Sequence, residues 1–140
     1  MKKILIVTAN YYKDISLGLV NSAKKNLPRN FNVKIIKVPG VFEIPITISK
    51  HIKKFDAFIA LCCVIKGQTP HFDLICSSTF DSILNLSITF NKPIGNGIIT
   101  AYNMSQALQR SKISISKKPN KGTEAVNAVM SILQNGPKKI

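Results

Sequence analysis

Ala57-Phe58-Ile59-Ala60-Leu61-Cys62-Cys63-Val64-Ile65, running directly into Lys66-Gly67-Gln68-Thr69-Pro70-His71-Phe72-Asp73, is the stretch on which the fold turns. The first part is an unbroken apolar run, the pattern of a strand buried on both faces as in a parallel sheet covered by helices. From about Phe72 to Phe90 the apolar residues fall at helical spacing, so the strand leads through a short turn into a long helix. In such α/β units the carboxyl end of a strand opens onto the crevice where ligands bind. A glycine there, Gly67, lets backbone N–H groups approach a phosphate closely. His71 lies in this turn, and imidazole both takes and gives a proton near neutral pH. Taken alone, it is better explained as a solvated residue of a capping loop, because a position in a fold does not establish a function.

Outward from this stretch, short apolar runs alternate with helix-length amphipathic ones, which indicates βαβ units and a mainly parallel sheet. Ile4 to Ala9 is the expected first strand, and Val33 to Val38 the second, ended by Pro39-Gly40. Ala57 to Ile65 and Pro93 to Thr100 complete the sheet. Helices are expected from Asp14 to Asn26, with Leu17, Val20 and Leu27 near one face, and from Glu43 to Lys54, with Pro45 in the first turn where a missing N–H costs little. Two more are expected near Asn103 to Ser111 and Lys121 to Gln134. The architecture is a three-layer α/β/α sandwich on a four-stranded parallel sheet, a single domain over 1–140. No internal repeat is present, and the one low-complexity stretch is the lysine- and serine-rich link from Lys112 to Pro119.

Composition excludes several classes of protein. A hydrophobic fraction of 45% is that of a globular chain, and no apolar run approaches the roughly 20 residues that span a bilayer. Met1-Lys2-Lys3 before Ile4 to Ala9 has the outline of a signal peptide, but the apolar run is short, and it reads better as a strand. Cys62, Cys63 and Cys76 are odd in number and wrongly spaced for a disulfide framework or a zinc site, and suit a reducing cytoplasm. The net charge of +14 raises the question of nucleic acid. Of 20 basic residues, however, only Arg29 and Arg110 are arginine, whereas base-edge readers rely on arginine's planar fork. The lysines are spread along the whole chain, so the charge reads as a solvated surface whose field attracts phosphorylated substrates.

With a parallel sheet, the turns Pro39 to Glu43, Lys66 to His71 and Ile94 to Asn96 are expected to gather at one end, joined by Tyr11 after the first strand. The crevice then holds Tyr11, Phe42, Glu43 and His71. Aromatic faces stack on a flat ring and exposed backbone groups hydrogen-bond its edge, so a planar heterocycle and a phosphate fit this set. Each member also has an ordinary explanation: Phe42 as core, Tyr11 as a half-buried loop residue, and Glu43 as a charge favoured by a helix N-terminus. His51, between Lys50 and Ile52 on a polar helix, is read as solvated and without a role.

Five segments together carry a family resemblance: Pro39-Gly40-Val41-Phe42-Glu43-Ile44-Pro45, Cys63 to Asp73, Pro93 to Thr100, Gln106-Ala107-Leu108-Gln109-Arg110 and Asn120-Lys121-Gly122. In this order they resemble 6,7-dimethyl-8-ribityllumazine synthases over nearly the whole chain. The resemblance implies a flavodoxin-like fold and a transferase of riboflavin biosynthesis that uses neither metal nor organic cofactor. Its reaction condenses 5-amino-6-(D-ribitylamino)uracil with 3,4-dihydroxy-2-butanone 4-phosphate. By motif position, Tyr11 stacks on the pyrimidine, and Val41, Phe42 and Glu43 line the ribityl and ring site. Cys63, Val64 and Ile65 offer backbone contacts, Gln68 and Thr69 hold the phosphate with Arg110, and His71 transfers protons. Lys121 matches a further lysine near the site. Arg110 gains weight because arginine is rare in this lysine-biased chain and its fork suits phosphate.

The departures are informative. Asn96 stands where many members carry an aromatic that covers the ligand, and Tyr11 replaces the more usual phenylalanine or tryptophan. The resemblance implies sites shared between neighbouring subunits, with the Asn96 and Arg110 segments supplied across the interface. It also implies a cytoplasmic homo-oligomer, pentameric in some members and built of twelve pentamers in others. The near-immediate first strand and the glycine-free, proline-bearing link Ser111 to Pro119 favour pentamers, single or paired. Three alternatives compete with this reading: a flavin-binding module, a nucleic-acid binder, and a catalytically weak relative that only binds lumazine or flavin.

Overall fold

The computed structural model describes residues 1–112 and 120–134. Strands β1 (Lys3–Ala9), β2 (Asn32–Val38), β3 (Ala57–Ile65) and β4 (Ile94–Ala101) form one sheet in the order β2-β1-β3-β4, and every pairing is parallel. Helices α1 (Lys13–Asn26), α4 (Met104–Ser111) and α5 (Lys121–Leu133) cover one face, where Ile15, Leu19, Ala107 and Val126 pack on Ile4, Ile6, Ile59 and Leu61. Helices α2 (Ile44–Lys50) and α3 (His71–Phe90) cover the other, where Ile44, Ile48 and Ile83 pack on Leu5, Val7, Phe58 and Ala60. Alternate residues of β1 and β3 thus enter different cores, which is why Ile4 to Val7 of β1 and all of β3 are apolar without a break. No described helix is long and apolar enough to cross a membrane.

Strand order places the switch point of the fold between β1 and β3. From β1 the chain passes through α1 to β2 on one side, and after α2 it returns to lay β3 on the other. The segments leaving β1 and β3 therefore diverge to opposite faces and leave a gap between them, the place where open α/β sheets bind ligands.

Several expected boundaries shift. The helix expected from Glu43 to Lys54 is a 3-10 turn, Val41–Glu43, followed by α2, which stops at Lys50. Beyond Lys50 the chain goes on in tighter turns, His51 N donating to the Ile48 carbonyl (3.0 Å) and Lys54 N to the His51 carbonyl (2.9 Å), and Lys92 Nζ holds the carbonyls of Ile52 (2.5 Å) and Phe55 (2.9 Å) that follow. His51 is bound and not simply solvated, its Nδ1 lying 2.8 Å from the Thr47 carbonyl oxygen at the end of α2. The buried face of α1 is Ile15, Leu19 and Ala23, while Leu17, expected near the core, is 59% exposed. The sequence between residues 113 and 119, which includes most of the expected low-complexity link, lies outside the described residues.

Glycine at two positions of β4 sets how closely α5 lies on the sheet. A Cβ at Gly95 would come 2.5 Å from the Ala125 carbonyl oxygen, and one at Gly97 would come 2.4 Å from Leu61 Cδ2 and 2.9 Å from the Ala60 carbonyl oxygen. The start of α5 is fixed by Asn120, whose Oδ1 accepts from Gly122 N (2.8 Å) and Thr123 N (3.3 Å) while its Nδ2 donates to the Ser111 carbonyl (2.7 Å). One side chain thus caps α5 and ties it to the end of α4.

Candidate active site

β3 outruns β1. Its pairing with β1 ends at Thr8↔Leu61, whereas its pairing with β4 continues to Ile65↔Ala101. Successive backbone groups point to opposite edges of a strand, and Phe58 N and Lys66 N donate to Pro93 and Ala101 on the β4 side, so Cys63 and Ile65 turn their N–H and C=O toward the β1 side, where they have no strand partner and are open to water or a ligand. Opposite them stand Tyr11 and Tyr12 at the end of β1, with ring centroids 4.9 Å apart in an edge-to-face arrangement. Together with Gly40, Val41 and His71 these residues enclose a cavity of about 340 Å³. A second cavity, of about 420 Å³, shares Gly40, Val41 and His71 with the first and extends past Phe42 and Leu74 to Ser78. Both are of a size that takes small organic ligands.

His71 is the hinge between the two cavities. It opens α3 and does not sit inside the preceding turn as expected, with Pro70 as the residue before the helix. Pro70 lacks an N–H and begins the helix at little cost, so His71 projects, exposed, from the first turn. Gly67 lies in the open: a Cβ there would meet nothing within 4 Å. No packing among the described residues demands glycine at that place, and the free space borders the exposed residues Gln68 and Thr69. Glu43 curls back toward the cleft, its Oε1 only 3.3 Å from where a Cβ on Gly40 would lie. Phe42 is 69% exposed and Tyr11 75%, so neither is core. Each presents a free aromatic face.

Burial disposes of one chemistry. The Cys62 thiol is pushed up to about 12 by burial, reinforced by the neighbouring Cys63, and the Cys63 thiol is pushed up to about 11 by burial. Both remain protonated at neutral pH, and the nucleophile of cysteine chemistry is the thiolate. Tyr12 is likewise raised, first by burial and then by Cys63 and Tyr11, and stays a phenol able to donate a proton in a hydrogen bond. Among the described residues no three His, Cys, Asp or Glu side chains group to hold a metal ion.

The structure brings together Tyr11, Val41, Phe42, Glu43, Cys63, Val64, Ile65 and His71, with Gln68 and Thr69 on the turn leading to α3. It leaves out Asn96, Arg110 and Lys121. The segment Ile94 to Asn96 is the beginning of β4 and not a turn at its carboxyl end, so Asn96 lies level with Ala60, roughly 16 Å along the sheet from Ile65. There its Oδ1 accepts from Ile98 N at 3.0 Å. Arg110 stands in the last turn of α4, on the face opposite α3. Lys121 starts α5 and pairs with Glu124 at 3.2 Å.

Tyr12 was missed because the adjacent Tyr11 absorbed the aromatic signal. Tyr102 was missed because nothing in the sequence marks it: it lies 6.3 Å, centroid to centroid, from Phe72 and carries Lys66 Nζ 5.3 Å from its ring centre.

This arrangement is that of a flavodoxin-like α/β domain with a candidate active site at its switch point. The family model for 6,7-dimethyl-8-ribityllumazine synthase matches residues 1–135. Proteins of that name are 39% identical in Campylobacter jejuni, over 94% of this chain and 87% of the relative, and 36% identical in Methylorubrum populi, over 94% and 80%. One from Campylobacter curvus is 36% identical over 94% of this chain and 86% of its own length. The chain belongs to the 6,7-dimethyl-8-ribityllumazine synthase family, and so to the transferases of the riboflavin pathway.

Proposed function

We propose that this chain condenses 5-amino-6-(D-ribitylamino)uracil with 3,4-dihydroxy-2-butanone 4-phosphate in the cleft around His71, releasing 6,7-dimethyl-8-ribityllumazine, phosphate and water. The observation that carries this reading is the unpaired backbone of Cys63 and Ile65 facing exposed Tyr11 beside His71. A flat pyrimidine stacks on Tyr11 and hydrogen-bonds its edge to that backbone, while Val41, Phe42 and Glu43 contact the ring and the ribityl chain. Gln68 and Thr69 receive the phosphate at the open Gly67 turn. His71, between the two cavities, moves protons during Schiff-base formation, phosphate loss and ring closure. Holding amine and ketone together supplies a large share of the acceleration, since effective molarity alone is worth about 7 kcal/mol or more.

Arg110, Asn96 and Lys121 reach this cleft from a neighbouring chain. Supporting this is their position outside the cleft of their own chain, together with the exposed apolar residues Phe42, Ile46 and Leu74 that a neighbour would cover. The family is one of oligomers, and the assembly proposed here is a cytoplasmic homopentamer, alone or paired. Arg110 supplies the guanidinium fork for the phosphate, and Asn96 covers the ligand with an amide in place of a ring.

The test mixes the purified protein with both substrates and follows lumazine absorbance for the parent, His71→Ala, Arg110→Ala, and the two variants unfolded and reassembled together. The expected result is loss in each variant alone and recovery in the mixture, where roughly a quarter of the shared sites regain both residues. A parent no faster than the spontaneous condensation would favour the weak, ligand-binding relative. Two losses with no recovery in the mixture would place His71 and Arg110 in one chain's site.

A further inference from the structure

On the other side of β1 from the candidate active site lies a groove of about 590 Å³ between α1 and β2. Among the described residues three lysines line it, Lys13 and Lys24 from α1 and Lys37 from β2, and no carboxylate does. The one acid of α1, Asp14, lines a separate groove against α4. Three cations around a concavity without a counter-charge repel one another and favour an anion. Beneath them Leu17, Val20 and Ile35 form an apolar floor, of which Leu17 is 59% and Ile35 38% exposed.

A second, independent observation lies at the bottom of the groove. Thr8 is only 2% exposed and lines it, yet its Oγ1 is the one buried side-chain oxygen or nitrogen among the described residues without a hydrogen-bond partner. Thr8 pairs in register with Lys37 on the same face of the sheet. Its neighbour Ser16 is satisfied, donating to the Ala9 carbonyl at 2.9 Å. Buried polar groups are almost always paired, and an orphan in the floor of a cavity points to a group that the protein alone does not supply.

We propose that this groove is a second ligand site, taking a small organic anion whose phosphate or carboxylate meets Lys13, Lys24 and Lys37 while its apolar body lies on Leu17, Val20 and Ile35 over the Thr8 hydroxyl. The site is separate from the proposed substrate cleft: it opens on the β2 side of β1, whereas the cleft lies on the β3 side. The β1–α1 turn that carries Tyr11 is common to both.

The test is calorimetric titration of the assembled protein with 2-naphthyl phosphate and with 2-naphthoate, using inorganic phosphate as the control without an apolar body. It compares the parent with Lys37→Gln, Thr8→Val and Arg110→Ala. The first two are expected to weaken binding of both naphthyl probes, Lys37→Gln by roughly tenfold, the loss of one charge-assisted hydrogen bond. Arg110→Ala should leave that binding unchanged. Inorganic phosphate alone should bind far more weakly than its naphthyl ester. A melting temperature that rises in Thr8→Val while probe affinity stays at the parent value would mean that the hydroxyl is only a structural orphan, and would overturn the proposal. So would binding indifferent to Lys37→Gln, or binding lost in Arg110→Ala, which would put the probe in the substrate cleft.

Discussion

Cys62 and Cys63 stand at the mouth of the candidate active site, where a thiol invites a covalent role, yet burial makes them poor nucleophiles. At pH 7 a thiol titrating at about 11, as Cys63 does, is about one part in ten thousand thiolate, roughly a hundredfold less than a thiol titrating near 9. Intrinsic nucleophilicity rises with pKa and returns about eightfold of that loss. Alkylation of Cys63 by iodoacetamide is therefore expected to be about tenfold slower than that of a free cysteine. For Cys62, at about 12, the same reasoning gives about forty-five-fold. The low exposure of both side chains, 2% and 5%, slows the reaction further. Mass-spectrometric peptide mapping of a timed alkylation, repeated from pH 7 to pH 10, measures this directly. The rate should climb about tenfold per pH unit across that range, without the plateau near 9 of an ordinary thiol. Alkylation of Cys63 at pH 7 as fast as that of free cysteine, or a plateau below pH 9, would refute the reasoning and reopen a nucleophilic role.

Other outcomes follow from the same geometry. Because the Cys62 and Cys63 thiols are raised, the stability they lend is fully present below about pH 9 and is lost as pH climbs toward 11 and 12. For Cys62 the slope is at most about 1.4 kcal/mol per pH unit, so urea melts of Cys62→Ala should lose less stability than the parent between pH 9 and 10. Asn120→Ala removes a cap and strands the Ser111 carbonyl, which should cost about 2 kcal/mol in a denaturant midpoint. Gly97→Ala drives a methyl into Leu61 and the Ala60 carbonyl, and a loss of about 1–3 kcal/mol is expected. His71→Ala should slow lumazine formation by about 10²-fold or more without abolishing it, because proximity survives the change.

The sheet was legible in the sequence because two-sided burial writes itself as unbroken apolar runs, which β3 carries in full and β1 from Ile4 to Val7. β2 was legible only from its flanking breakers, being an edge strand whose Lys34, Ile35 and Lys37 are exposed. Helix faces were less legible. Leu17, Val20 and Leu27 formed a plausible stripe, but the small residues Ser16, Ser22 and Ala23 are what let α1 lie close to its neighbours, and hydropathy gives serine no credit for that. α2 ends before the expected Lys54, and the segment after it is held by Lys92, forty residues from Ile52, whose carbonyl it engages. No local pattern encodes a contact at that separation.

The site divides along the same line. Tyr11, Val41, Phe42, Glu43 and His71 come together because each follows the carboxyl end of a strand, a property read from local order alone. Asn96 could not be placed that way: in a parallel sheet the first residues of a strand lie at the end away from the cleft, and Asn96 is the third residue of β4. Moving it to its own cleft would require shifting β4 by about five residues. That would carry Gly95 and Gly97 away from Ala125 and force larger side chains under α5. The glycines thus lock the register that keeps Asn96 out. A role for Asn96 at a ligand therefore demands the cleft of another chain, where the exposed faces of Phe42 and Leu74 still await a cover.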